Sequence, residues 1–124
     1  MDGGSPLRVY TQRICDKLQI RMEDSPCIVG MRYGNPSIRS ALESLRNQGV
    51  TRLLLAPLFP HYAQATTESS VKHAYKHLNE MGWNPDIVEF GHFETEDEFI
   101  VPLAESIRPH LGADTHLLLS LIHI

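Results

Sequence analysis

A chain of 124 residues is long enough for one compact core and too short for two. Hydrophobic residues make up 42% and charged residues 21%, an ordinary composition with no apolar run of about 18 residues to span a membrane. A formal charge of −4 excludes a broad nucleic-acid footprint, which needs a basic surface. Met1 to Pro6 lacks the basic and apolar regions of a signal peptide, and Cys15 and Cys27 form no CxxC or paired Cys/His spacing. They read as reduced thiols, Cys27 in the core, and the expected localisation is cytoplasmic.

The first helix is read from Leu7, Tyr10, Ile14 and Leu18 at helical spacing, with Ser5 placed to cap and Pro6 at the first helical position. After Ser25-Pro26 comes Cys27-Ile28-Val29-Gly30-Met31, an apolar run of buried-strand type. Asn35-Pro36 opens a second helix with Ile38, Ala41, Leu42 and Leu45 on its apolar face and Gly49 as its stop. Arg52 to Phe59 holds a second strand without alternation, as expected when both sheet faces are covered.

A third helix starts near Thr66-Thr67, buries Val71, Ala74, Tyr75 and Leu78, and ends at Gly82. Ile87 to Phe90 reads as the third strand. Thr95 and Glu98 form a capping box for a fourth helix that Pro102 must kink or split, and His116 to Leu121 reads as the last strand. Strands alternating with helices imply an α/β fold: a doubly wound parallel sheet of about four strands with helices on both faces. The order opens on a helix and stops within a strand, so the chain is expected to be truncated at both ends.

In such sheets ligands bind beyond the carboxyl ends of the strands. The loops there are Met31 to Pro36, Pro57 to Thr67 and Ser120 to Ile124, joined by Gly3 to Pro6 at another helix start. They combine a guanidinium, two phenols, hydroxyls and free backbone N–H groups, a set suited to an anionic, flat, aromatic ligand.

Gly3-Gly4-Ser5-Pro6-Leu7, Met31-Arg32-Tyr33-Gly34-Asn35-Pro36 and Pro57-Leu58-Phe59-Pro60-His61-Tyr62 stand in an order and spacing that resembles the ferrochelatases, the final enzymes of haem synthesis. The loop Phe59-Pro60-His61-Tyr62-Ala63 followed by Thr66-Thr67-Glu68-Ser69 resembles the bacterial members. The resemblance implies two similar α/β lobes around a porphyrin cleft, with residues 1–124 as one partial N-terminal lobe and the second lobe absent. It implies that Ser5 hydrogen-bonds a propionate and that Arg32 and Tyr33 line the inner cleft. It implies that Tyr62, Thr66 and Thr67 border the macrocycle, while Phe59 lacks the hydroxyl of the tyrosine found in many relatives. It also implies no tightly bound cofactor, with Fe²⁺ as a substrate of the longer enzyme.

The family's chemistry needs a histidine in a Ser-x-His pattern and a glutamate from the second lobe. Here Ser120 is followed two positions on by Ile122, and His123 comes one residue late, which turns it to the other face of an extended segment. No intact catalytic residue is therefore expected, and the isolated chain is expected to be inactive. The alternative is a non-catalytic doubly wound domain binding a porphyrin or another anionic ligand. A cobalt chelatase is a further variant.

Read without the resemblance, Arg32 is a surface ion-pair partner and Tyr33 a half-buried phenol. His73 and His77 share a helix with Lys72 and Lys76 and read as a solvated face. Arg8, Arg13, Lys17 and Arg21 read the same way, with peripheral contact to anionic lipid as the other option. Two outcomes are expected of a structure: Ser5, Arg32 and Thr67 around one cleft, and enough open sheet and apolar surface to cause self-association.

Overall fold

The computed structural model describes residues 5–120. They fall into two compact units, Met1–His92 and Phe93–Ile124. No helix among the described residues is long and apolar enough to cross a membrane.

The first unit begins with helix α1, Pro6–Arg21. Pro6 supplies the helical φ at its start, but Ser5 makes no side-chain capping bond. The expected cap is thus realised by proline alone. The apolar stripe also does not face inward. Thr11, Cys15 and Gln19 are the partly covered residues, whereas Leu7, Tyr10, Ile14 and Leu18 are exposed and no α1 residue is buried. Polar atoms explain this orientation. Gln19 Oε1 accepts from Cys27 N at 2.7 Å, Gln19 Nε2 donates to Ser25 O at 3.1 Å, and Cys15 Sγ donates to Cys27 O at 3.2 Å. Cys27 is only partly covered.

Helix α2, Ile38–Asn47, is capped by Ser37, whose Oγ accepts from Ser40 N at 3.1 Å. It leads into strand β1, Arg52–Leu55. A π-helical turn, Gln64–Glu68, then runs into helix α3, Ser69–Glu80, and strand β2 follows at Asp86–Glu89. The strands are parallel, with Leu53 opposite Ile87 and Leu54 opposite Val88. Both helices end in the same way. Gly49 and Gly82 have positive φ, and the N–H groups of Val50 and Trp83 reach back to the carbonyls of Leu45 and Leu78 at 3.2 and 3.1 Å.

The core joins these elements. Leu42 and Leu45 of α2, Leu53 of β1 and Leu78 of α3 are buried together, with Trp83, Tyr75 and Ile87 packed against them. Burying four leucines at about 1.5–3 kcal/mol each is the main source of cohesion. On the other sheet face Leu54 and Val88 remain 52% and 41% exposed. The expectation of helices on both faces therefore holds for one face among the described residues.

Four strands were expected and two are present among the described residues. Residues 27–30 have no regular secondary structure and Val29 is buried, and the segment's hydrogen bonds go to other partners. Cys27 N is taken by Gln19, Met31 N by Pro36 O at 2.7 Å, and a single bridge links Met31 to Ser37. A strand is defined by the ladder it joins, and this segment is held by a helix side chain and by its own loop.

The second unit contains helix α4, Asp97–Ile107, and a 3₁₀ turn, Arg108–His110. Glu96 takes the cap position without a side-chain bond, so the expected Thr95–Glu98 box does not form. Asp97 and Glu98 instead place carboxylates in the first turn, where the helix dipole favours them. Pro102 lies inside the helix without splitting it. Residues 116–120 form no strand, and Leu118 is 92% exposed. An apolar run without a ladder partner stays irregular.

Candidate functional site

The loop after residues 27–31 carries Arg32 and Tyr33. The Arg32 guanidinium carbon lies 4.6 Å from the centre of the Tyr33 ring, a cation–π arrangement. Arg32 Nε donates to Ser69 Oγ at 3.1 Å, thirty-seven residues away in the chain. Ser69 is the first residue of α3, so this bond docks the Arg32 loop onto the π-helical turn and the helix start. Tyr33 remains largely exposed, with its ring available to a flat partner.

The turn is built from local side-chain bonds. Thr66 Oγ1 donates to Ala63 O at 3.4 Å and Thr67 Oγ1 to His61 O at 3.3 Å, which folds the end of the Pro57–Thr67 loop back on itself just before α3. Tyr62, just before the turn, Glu68 at its end and Lys72 in α3 form a polar cluster. Glu68 receives the Lys72 ammonium as an ion pair one helical turn away, and the Tyr62 phenol hydrogen-bonds the same carboxylate. The bonds from Lys72 and Tyr62 hold the Glu68 carboxyl below its ordinary range. Desolvation, then the bond to Glu68, pushes the Tyr62 phenol up.

Arg32 also acts on α3. Burial first, and the Arg32 charge second, lower the His73 pKa and favour its neutral imidazole. His73 and His77 meet at Nε2 with 3.0 Å between them, and His77 Nδ1 lies 3.0 Å from Glu80 Oε2. The reading of this pair as a solvated face is corrected: both imidazoles are partly covered, and the His77 side chain is only 14% exposed. Their i, i+4 spacing beside the buried Ala74 and Leu78 is the signal that sequence could have offered.

Arg32 is thus joined to Ser69, two residues beyond Thr67, and the two segments form one candidate rim; Ser69 belongs to the Thr66-Thr67-Glu68-Ser69 motif, but the resemblance gives it no role. Ser5 begins α1, and no described hydrogen bond joins it to Arg32 or to the turn. Gly3, Gly4, Ile122 and His123 lie outside the described residues. An apolar pocket of about 160 Å³ between α2, α3 and β1, lined by Gly30, Ala41, Leu53 and Val71 among others, is smaller than the roughly 300 Å³ at which ligand pockets usually begin. The rim rather than this pocket is the candidate for a large flat ligand. Among the described residues no cluster of three or more His, Cys, Asp or Glu is arranged to hold a metal.

The family model for ferrochelatase matches residues 1–123. The chain belongs to the ferrochelatase family. It is 38% identical over 112 residues to a ferrochelatase of Allorhizobium ampelinum, covering 88% of this chain and 33% of that protein. A ferrochelatase of Francisella tularensis subsp. tularensis is 35% identical over 107 residues, 86% of this chain and 32% of its own length. The chain therefore spans about a third of the curated ferrochelatases it matches. That family match covers both the Arg32-Tyr33 loop and the Tyr62–Thr67 turn.

Proposed function

We propose that this chain supplies one wall of a porphyrin cleft in a ferrochelatase, the enzyme that inserts Fe²⁺ into a dicarboxylate porphyrin. The observation that supports the reading is the Arg32–Ser69 bond, because it holds the guanidinium–phenol pair against the helix start that follows the Thr66-Thr67 turn. The Tyr33 ring offers a face to the macrocycle, and the arginine offers charge-assisted hydrogen bonds to a propionate. Tyr62, Thr66 and Thr67 border the ring edge, and Ser5 contributes a propionate contact from the start of α1. Iron is a substrate, and no resident cofactor is involved. In the longer protein the lobe is doubly wound, and the enzyme works in the cytoplasm.

Insertion needs groups held on both faces of the ring, so that the distorted macrocycle, the entering metal and a proton acceptor share one geometry. A wall alone binds without turning over. The position expected for the accepting histidine holds Ile122, and an isoleucine can neither accept a proton nor ligate iron. The test is anaerobic iron insertion followed by porphyrin fluorescence, alongside equilibrium binding of the same porphyrin. The expected result is saturable binding without turnover, weakened at least threefold by Arg32→Ala. Turnover that vanishes in His123→Ala would overturn the inactive-wall reading, and binding indifferent to Arg32 would overturn the rim.

A further inference from the structure

Outside the rim, the side chains with the most developed geometry are the two imidazoles of α3. We propose that His73 and His77 form a two-nitrogen chelate for a divalent first-row transition-metal ion that prefers imidazole, Cu²⁺ above Ni²⁺ and Zn²⁺. The proposal is independent of the porphyrin reading, since it uses neither Tyr33 nor the 62–67 turn.

The geometry is specific. The two Nε2 atoms stand 3.0 Å apart and the rings meet edge-on, with centroids 4.4 Å apart and an interplanar angle of 80°. Nitrogens bound at about 2.0–2.1 Å to one ion and separated by this distance subtend about 90° at the metal, whereas a tetrahedral ion would want them about 3.4 Å apart. The right angle is that of adjacent positions in a tetragonal or octahedral sphere, the habit of Cu²⁺ and Ni²⁺.

Glu80 supplies the outer partner. Its Oε2 lies 3.0 Å from His77 Nδ1, so His77 carries its proton on Nδ1 and presents the Nε2 lone pair. In the metal-free pair that lone pair accepts from His73 Nε2–H. Binding moves the His73 proton to its own Nδ1, and both Nε2 lone pairs then face one ion with no net proton released. Solvent completes the sphere. The surrounding charge is mixed: Arg32 and Lys76 act on His73 with positive charge, while Glu80 also meets Arg39 at 3.6 Å and Lys76 at 3.8 Å. Moderate affinity and the order Cu²⁺ > Ni²⁺ > Fe²⁺ follow. Of these three, the iron of the family reaction is the ion this chelate holds least well.

The experiment uses the untagged chain, titrated with Cu²⁺ and Ni²⁺ by calorimetry and followed for Cu²⁺ by electron paramagnetic resonance. The expected result is one site whose spectrum shows two imidazole nitrogens. Affinity should fall at least tenfold in His73→Gln and in His77→Gln. Glu80→Gln should weaken binding severalfold while keeping the two-nitrogen spectrum, the mark of a positioning carboxylate. His61→Ala serves as the control and should change nothing. A wild-type spectrum with one nitrogen or none overturns the proposal without any variant. So does binding that persists unchanged in folded His73→Gln/His77→Gln protein, or no binding at millimolar metal.

Discussion

His73 is held neutral by two unlike causes, loss of water first and the Arg32 charge second. A histidine whose pKa is lower folded than unfolded contributes stability that is complete above the ordinary value near 6.5 and is lost as pH falls below it. Glu80, held low by its bond to His77, and Glu68, held low by Lys72 and Tyr62, lose their contributions only below the ordinary carboxyl value of 4.5. Thermal melting against pH should therefore decline in two legs, one starting near 6.5 and one near 4.5. His73→Gln should flatten the first leg and leave the second. A wild-type profile level from about pH 7 to 5 would contradict the account of His73. Sequence offered the i, i+4 spacing of the two histidines but not their orientation. Nor could it show that the Arg32 charge, from a loop distant in sequence, acts on His73.

The helix–glycine–strand units of α2–β1 and α3–β2 were legible because every cue in them is local. Ala41, Leu42 and Leu45 in one, and Ala74 and Leu78 in the other, recur at helical spacing, and a glycine closes each helix. A Cβ at Gly49 or Gly82 would meet nothing within 4 Å, so an alanine there suffers only from the left-handed backbone. Gly49→Ala and Gly82→Ala should each lower the urea unfolding free energy by about 1 kcal/mol with the slope unchanged. A loss near zero would mean that the turn relaxes to negative φ. Gly30 is a different case, because its Cβ would stand 3.1 Å from the backbone of Ile38. What local cues could not convey is pairing. Residues 27–31 and 116–120 have the composition of strands, yet the ladder partners that would make them strands are absent from the described sheet. The α1 stripe misled for a related reason: periodicity identifies an apolar face but not what covers it.

In the molecule as a whole, the described sheet buries one face and opens the other at Leu54 and Val88. β1 and β2 also each have an edge without a described strand neighbour. Exposed apolar strands with open edges favour association. Sedimentation velocity should show mass-action self-association of the isolated chain, reduced by Leu54→Lys and Val88→Lys together. A single monomeric boundary across a hundredfold concentration range would rule this out. The candidate rim was legible to a different degree than the fold. The resemblance singles out Arg32, Tyr33 and the 62–67 segment and includes Ser69 in its motif, but the Ser69 bond to Arg32 exists only once folding brings helix and loop together.

Gln19 and Cys15 tie α1 to residues 25–27 through bonds that are individually worth about 0.5–1.5 kcal/mol, and no residue of the helix is buried. Time, rather than equilibrium, is where this tether tells. The parting of α2 from α3 requires the leucine core to open, whereas the release of α1 requires the parting of a carboxamide and a thiol. The amides of α1 should exchange with deuterium through local opening, orders of magnitude faster than those of Leu45 and Leu78, and at a rate insensitive to mild denaturant. Gln19→Ala should quicken α1 further and leave the core amides at their own pace. The chain would then keep two clocks, and the helix that carries Ser5 would run on the faster one.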